Sequence, residues 1–109
     1  MKIRRMFFKK PNADCSREEV AGAVQDANAV IIDCRTPGEI AVGMVTGAKQ
    51  VDWLAGAWTE EAVQSLDPAK SYYLYCRSGN RSGQAAKLLR SKGFDSVFNA
   101  GAYDSLQGL

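Results

Sequence analysis

The chain has no histidine, and its only cysteines are Cys15, Cys34 and Cys76. Without imidazole there is no Ser-His-Asp triad, no Cys-His dyad and almost no zinc site. An odd number of cysteines with no Cys-x-x-Cys pair argues against a disulfide framework. No apolar run approaches the roughly 20 residues of a membrane-spanning helix, which leaves no membrane partner to expect. The opening MKIRRMFFKKP is charged, but its apolar stretch runs only from Met6 to Phe8, too short for a secretory segment. The expectation is therefore a cytoplasmic chain without a signal peptide. A formal charge of +2 is too small to call for a nucleic-acid partner. The cluster Lys2, Arg4, Arg5, Lys9 and Lys10 reads as a solvated tail or an edge strand within residues 1–14.

What is present is ordinary globular material, 46% hydrophobic and 24% charged, and 109 residues suit a single domain over 1–109. Short apolar runs alternate with amphipathic ones. SREEVAGAVQDAN opens with Ser16 three residues before Glu19, a capping box, and sets Val20, Ala23, Val24 and Ala27 on one helical face. AVIIDC (29–34) reads as a strand buried on both sides. Thr36-Pro37-Gly38-Glu39 is a second capping box with proline at the first helical position. AKQVDW offers a further short strand, and TEEAVQSLDP a helix capped by Thr59 and stopped before Pro68. SYYLYC (71–76) is a strand rich in aromatics. GQAAKLLRSKG is a helix ending at Gly93, and DSVFNAG (95–101) a last strand. Strands separated by helices predict an α/β domain, a mainly parallel, doubly wound sheet with helices on both faces.

Cys76 ends one of these strands, and in such sheets ligands bind beyond the carboxyl ends of the strands. The turn after it, Arg77-Ser78-Gly79-Asn80-Arg81-Ser82, is small and turn-tolerant, so its N–H groups can curl around one anion. The following helix start and the two arginines add positive potential. All of these favour thiolate over thiol, which activates Cys76 without imidazole. The plain alternative is that Cys76 is a buried hydrophobe, the default role of a free cysteine. The reactive reading requires convergent N–H groups and a sulfur that a solute can reach.

YCRSGNRSGQAAKLL resembles the active-site loop of the rhodanese family of sulfurtransferases. VIIDCRTPGEIAVGMVTGA is similar to that family's Asp-x-Arg-x-x-x-Glu segment, and GFDSVFNAGAYDSL to its closing strand and turn. The resemblance runs over about residues 15–106, with the three motifs in the family's order. It implies a single rhodanese domain in which Cys76 carries sulfur as a persulfide. The donor would be thiosulfate-like, and the acceptor cyanide, a small thiol or a protein thiol. Arg77, Ser78, Gly79, Asn80, Arg81 and Ser82 would form the substrate-binding loop, with no cofactor or metal. The chain departs from the family at Met44-Val45-Thr46-Gly47-Ala48, where His-Ile-Pro-Gly-Ala is usual. It departs again at Ala102 and Leu106, where a second glycine and a tryptophan are usual.

Phosphatases and arsenate reductases related to this fold use Cys-x-x-x-x-x-Arg, whereas Cys76 and Arg81 enclose four residues. The shorter ring suits the outer sulfur of a persulfide better than a tetrahedral phosphoryl group. A non-enzymatic binding or redox-sensing module is the other reading. Asp33 and Arg35 look like an acid–base pair, but sulfur transfer to a thiolate needs no proton shuttle, so they are expected to hold the turn near Glu39. Cys34 is expected to be a buried thiol rather than a resolving one. Trp53 and Trp58 are expected to pack.

Overall fold

The computed structural model describes residues 13–109. The basic cluster and most of the expected tail or edge strand over 1–14 lie outside the described residues. The elements in chain order are α1 (Arg17–Val24), β1 (Ala29–Asp33), α2 (Pro37–Ile40), β2 (Lys49–Gln50), α3 (Glu60–Gln64), β3 (Ser71–Cys76), α4 (Asn80–Ser91) and β4 (Val97–Ala102). A 3-10 turn, Tyr103–Ser105, follows. The four strands form one parallel sheet in the order β2-β1-β3-β4.

Strand alternation explains why the sheet is covered twice. Ile32 of β1 and Tyr72, Leu74 and Cys76 of β3 point to one face, where they meet Val63 of α3 and Ala85, Ala86 and Leu89 of α4. Ile31 and Tyr75 point the other way, against Val20 and Ala23 of α1, with Val45 and Leu106. Burying side chains of this size stabilises the fold by about 1.5–3 kcal/mol each. The doubly wound α/β architecture expected from the pattern is the one observed.

Both expected capping boxes form. The Ser16 and Thr36 side chains each accept the N–H of the glutamate three residues on, and each glutamate accepts the cap's own N–H. The β2 expectation shrinks to two exposed residues, because Lys49 and Gln50 sit at the sheet's outer edge, where little is buried. At the opposite edge, Asp14 N–H donates to the Asn99 carbonyl at 2.7 Å, and Asp14 Oδ2 accepts the Asn99 N–H at 2.9 Å. Between β3 and β4 the register slips by one residue beside Leu74 and Tyr75, so Leu74 pairs with Asn99 but Tyr75 with Gly101. This bulge lies just before the strands' carboxyl ends, next to Cys76.

The chain order changes direction between β1 and β3, and Asp33 and Cys76 end those strands. Cys76 therefore stands at the topological switch point, the place where α/β sheets open a crevice.

Candidate active site

Helix α4 starts earlier than its apolar pattern predicts. Asn80 is its first residue and Gly79 its N-cap, in the left-handed conformation at φ 94° and without a capping side chain of its own. Arg81 and Ser82, expected in the turn, thus belong to the helix's first turn. The acceptor that a capping side chain would supply comes from Cys76. Its Sγ accepts the Gly79 N–H at 3.1 Å and the Ser82 N–H at 3.4 Å, and lies 3.4 Å from the Ser82 hydroxyl. The sulfur stands where a cap oxygen would, on helix N–H groups that have no partner inside the helix.

Burial pushes the Cys76 thiol up and is the largest single influence on it. The Ser82 hydroxyl and the N–H groups of Ser82, Ser78 and Gly79 together outweigh burial, so Cys76 is held below the ordinary thiol value. Hydrogen bonds from the turn and the first turn of α4 thus lower this thiol with no imidazole beside it.

The rest of the expected loop divides. Ser78 is exposed, and its Oγ accepts the Asn80 N–H at 3.4 Å, away from the sulfur. Arg77 is exposed and lines a groove of about 250 Å³ with Arg35, Glu39 and Tyr103. Arg81 is not a free cation as the sequence suggested. Its guanidinium meets Glu39 through two bonds, Nη1 to Oε1 at 2.8 Å and Nη2 to Oε2 at 2.9 Å. The Arg81 contact, the main influence, brings the Glu39 carboxyl down to about 2. The expectation of an open sulfur is corrected as well, since residue 76 has 0% exposure. Cys76 lies in the buried cluster on the α3 and α4 face of the sheet, with Ile32, Cys34, Leu74, Ala85 and Ala86.

Sequence reading missed Asn99. This buried residue of β4 donates from Nδ2 to the Gly79 carbonyl at 2.9 Å, while its Oδ1 accepts the Ser82 hydroxyl at 2.7 Å and the Gly101 N–H at 3.0 Å. The available signal was one amide in an otherwise apolar strand, VFNAGA, at the carboxyl edge next to β3.

Asp33 and Arg35 form the structural pair that was expected. Arg35 donates to Asp33 from Nε at 2.9 Å and Nη2 at 2.7 Å, then reaches the Glu39 carbonyl at 3.3 Å and the Gly43 carbonyl at 2.7 Å. Its guanidinium carbon lies 4.1 Å from the Tyr103 ring centroid. Cys34 is fully buried on the same face as Cys76. Burial first, then the nearby Cys76 and Asp33 charges, push its thiol far up, which keeps it protonated. Trp53 and Trp58 pack against the first core cluster, with Trp58 Nε1 donating to the Val51 carbonyl at 2.9 Å. Among the described residues no group of three or more Cys, Asp or Glu is placed to hold a metal ion, and no helix is long and apolar enough to cross a membrane.

The Rhodanese-like domain family matches residues 16–107, nearly all of the described chain. The chain belongs to the rhodanese family. The chain is 34% identical to the Rhodanese-like/PpiC domain-containing protein 12, chloroplastic, of Arabidopsis thaliana, over 84% of this chain and 32% of that protein. It is 33% identical to thiosulfate sulfurtransferase GlpE of Pseudomonas fluorescens (strain SBW25), over 74% of this chain and 72% of that one. Among solved structures it superposes on a "rhodanese with anions from E. coli" with a TM-score of 0.64 at 28% identity, covering 72% of this chain and 92% of that one. The chain spans 32%, 54% and 63% of the length of three curated relatives it matches, the Arabidopsis protein among them.

Proposed function

We propose that this chain is a sulfurtransferase that carries sulfane sulfur as a persulfide on Cys76, with residues 1–109 acting as one domain. The observation that carries the reading is the convergence of two helix N–H groups and one hydroxyl on the Cys76 sulfur at the switch point of the sheet. Relatives named as sulfurtransferases, among them the Pseudomonas thiosulfate enzyme, support it.

The donor is a thiosulfate-like anion. The Cys76 thiolate attacks its outer sulfur, the S–S bond of the donor breaks, and its electron pair leaves with sulfite. The new outer sulfur carries the negative charge, and the helix N–H groups stabilise the persulfide as they did the thiolate. A thiophilic acceptor, cyanide or a thiol of a small molecule or protein, then takes the outer sulfur and restores the thiolate. Exposed Arg77 meets the donor's oxyanion at the groove, and Arg81, tied to Glu39, holds the first turn of α4 in place. Because residue 76 has no exposed surface, the site has to open before a donor can reach the sulfur. Three unbridged cysteines suit a reducing, cytoplasmic setting, which belongs to the same proposal.

The test is incubation with thiosulfate followed by cyanide. Thiocyanate forms, and intact mass after thiosulfate alone rises by one sulfur atom, about 32 Da. Both signals vanish in Cys76→Ser. No thiocyanate and no added sulfur would overturn the reading in favour of a binding module.

A further inference from the structure

The Ser82 hydroxyl has one proton and two acceptors within reach, Asn99 Oδ1 at 2.7 Å and Cys76 Sγ at 3.4 Å. It cannot serve both fully at once. Which way the Asn99 amide points is fixed by its neighbours. Nδ2 faces the Gly79 carbonyl, which can only accept, and Oδ1 faces the Gly101 N–H, which can only donate. A flipped amide would set donor against donor and acceptor against acceptor. Oδ1 is therefore a fixed acceptor aimed at Ser82 from inside the protein, and Ser82 and Asn99 are both buried.

We propose that Asn99 is a positioning residue for Cys76, acting through the Ser82 hydroxyl. It holds the hydroxyl proton while the sulfur is neutral and yields it when the sulfur is charged. In the thiol state the chain runs Cys76 S–H to Ser82 O–H to Asn99 Oδ1, with every proton placed. In the thiolate or persulfide state the hydroxyl turns to the sulfur, and Oδ1 keeps the Gly101 N–H, so no buried acceptor is orphaned. No proton changes owner in the turn; only the direction of donation changes. Through Nδ2 the same side chain holds the carbonyl of Gly79, the residue whose own N–H is the shortest donor to the sulfur. Two of the donors to Cys76, the Ser82 hydroxyl and the Gly79 N–H, are thus steadied from β4. The bulge beside Leu74 serves this arrangement, for it brings Gly101 round to face the Asn99 side chain.

The persulfide part of this proposal rests on the sulfurtransferase reading, but the thiolate part does not, and the test uses the thiolate. The rate of Cys76 alkylation by iodoacetamide is followed against pH in the full chain by site-resolved peptide mass spectrometry. Ser82→Ala raises the pH midpoint by about one unit, a roughly tenfold loss of thiolate below it, and Ser82→Thr keeps the native midpoint. Asn99→Asp, whose carboxylate holds the hydroxyl proton permanently, raises the midpoint as well. In Ser82→Ala/Asn99→Asp the further shift from the aspartate falls to less than half of its value in the single variant. An undiminished shift means that residue 99 acts by its charge alone, and overturns the proposal. If Asn99→Asp does not fold, Ser82→Ala against Ser82→Thr decides, and equal midpoints overturn it. A wild-type protein that makes no thiocyanate sinks the sulfurtransferase reading and leaves these midpoints as they are.

Discussion

Gly79 shows how much one residue carries at this site. Its φ of 94° lies in the left-handed region, which a residue with a Cβ enters at a cost of about 1–2 kcal/mol. Its N–H is also the shortest donor to the Cys76 sulfur, at 3.1 Å. Gly79→Ala is therefore expected to lose about 1 kcal/mol of stability in urea unfolding. The backbone relaxes away from the strained angle, the sulfur loses a donor, and the pH midpoint for Cys76 alkylation rises. Sulfur loading from thiosulfate, read by intact mass at neutral pH, slows in step. A variant with lowered stability but native midpoint and loading would show that the Gly79 N–H does not serve the sulfur. Cys76 stands out in the sequence because strand end, glycine turn and helix start are all local signals. Its burial was not, since depth depends on where α4 begins, and the helix begins early only because a sulfur from β3 replaces the missing cap.

At the scale of elements, Glu39 ties α2 to α4. Its Oε1 accepts the Thr36 N–H at 3.0 Å in the capping box, and both its oxygens meet Arg81. The capping role was readable from four consecutive residues. The ion pair was not, because its partner stands 42 positions away and only the fold joins them. Asn99 escaped notice for the same reason, as its partners sit on α4 and before α1. Glu39→Gln separates the two roles, keeping an acceptor for Thr36 and losing the charge for Arg81. The expected loss at neutral pH is about 1–2 kcal/mol, since both side chains are largely shielded from water. The pH dependence has a definite sign. A carboxyl lowered from 4.5 to about 2 in the folded state stabilises fully above the higher value and loses that contribution as pH falls through the lower one. Urea unfolding of wild type and variant should differ most near neutrality and converge as pH approaches about 2. A gap that persists unchanged in acid would mean that the ion pair contributes nothing.

For the molecule as a whole, the decisive feature is a buried charge under the switch point. Asp33 accepts from Arg35 and from the Tyr75 hydroxyl, which in turn accepts the Val45 N–H, so β1, β3 and the loop after α2 close on one carboxylate. Asp33 is 0% exposed and Arg35 3%. Neutralising one partner leaves the other charged in a dry place, which costs about 3–5 kcal/mol. That is a large share of the about 5–15 kcal/mol available to such a domain. Asp33→Asn should therefore lower the melting temperature by on the order of 20 °C. Replacing both partners, Asp33→Asn with Arg35→Met, should recover part of the loss, because no unpaired guanidinium remains. Well below its melting point, folded Asp33→Asn should load sulfur from thiosulfate within about twofold of the wild-type rate, since the pair shapes the sheet's edge and takes no part in the chemistry. A hundredfold slower rate in protein that is still folded would instead give Asp33 a chemical role.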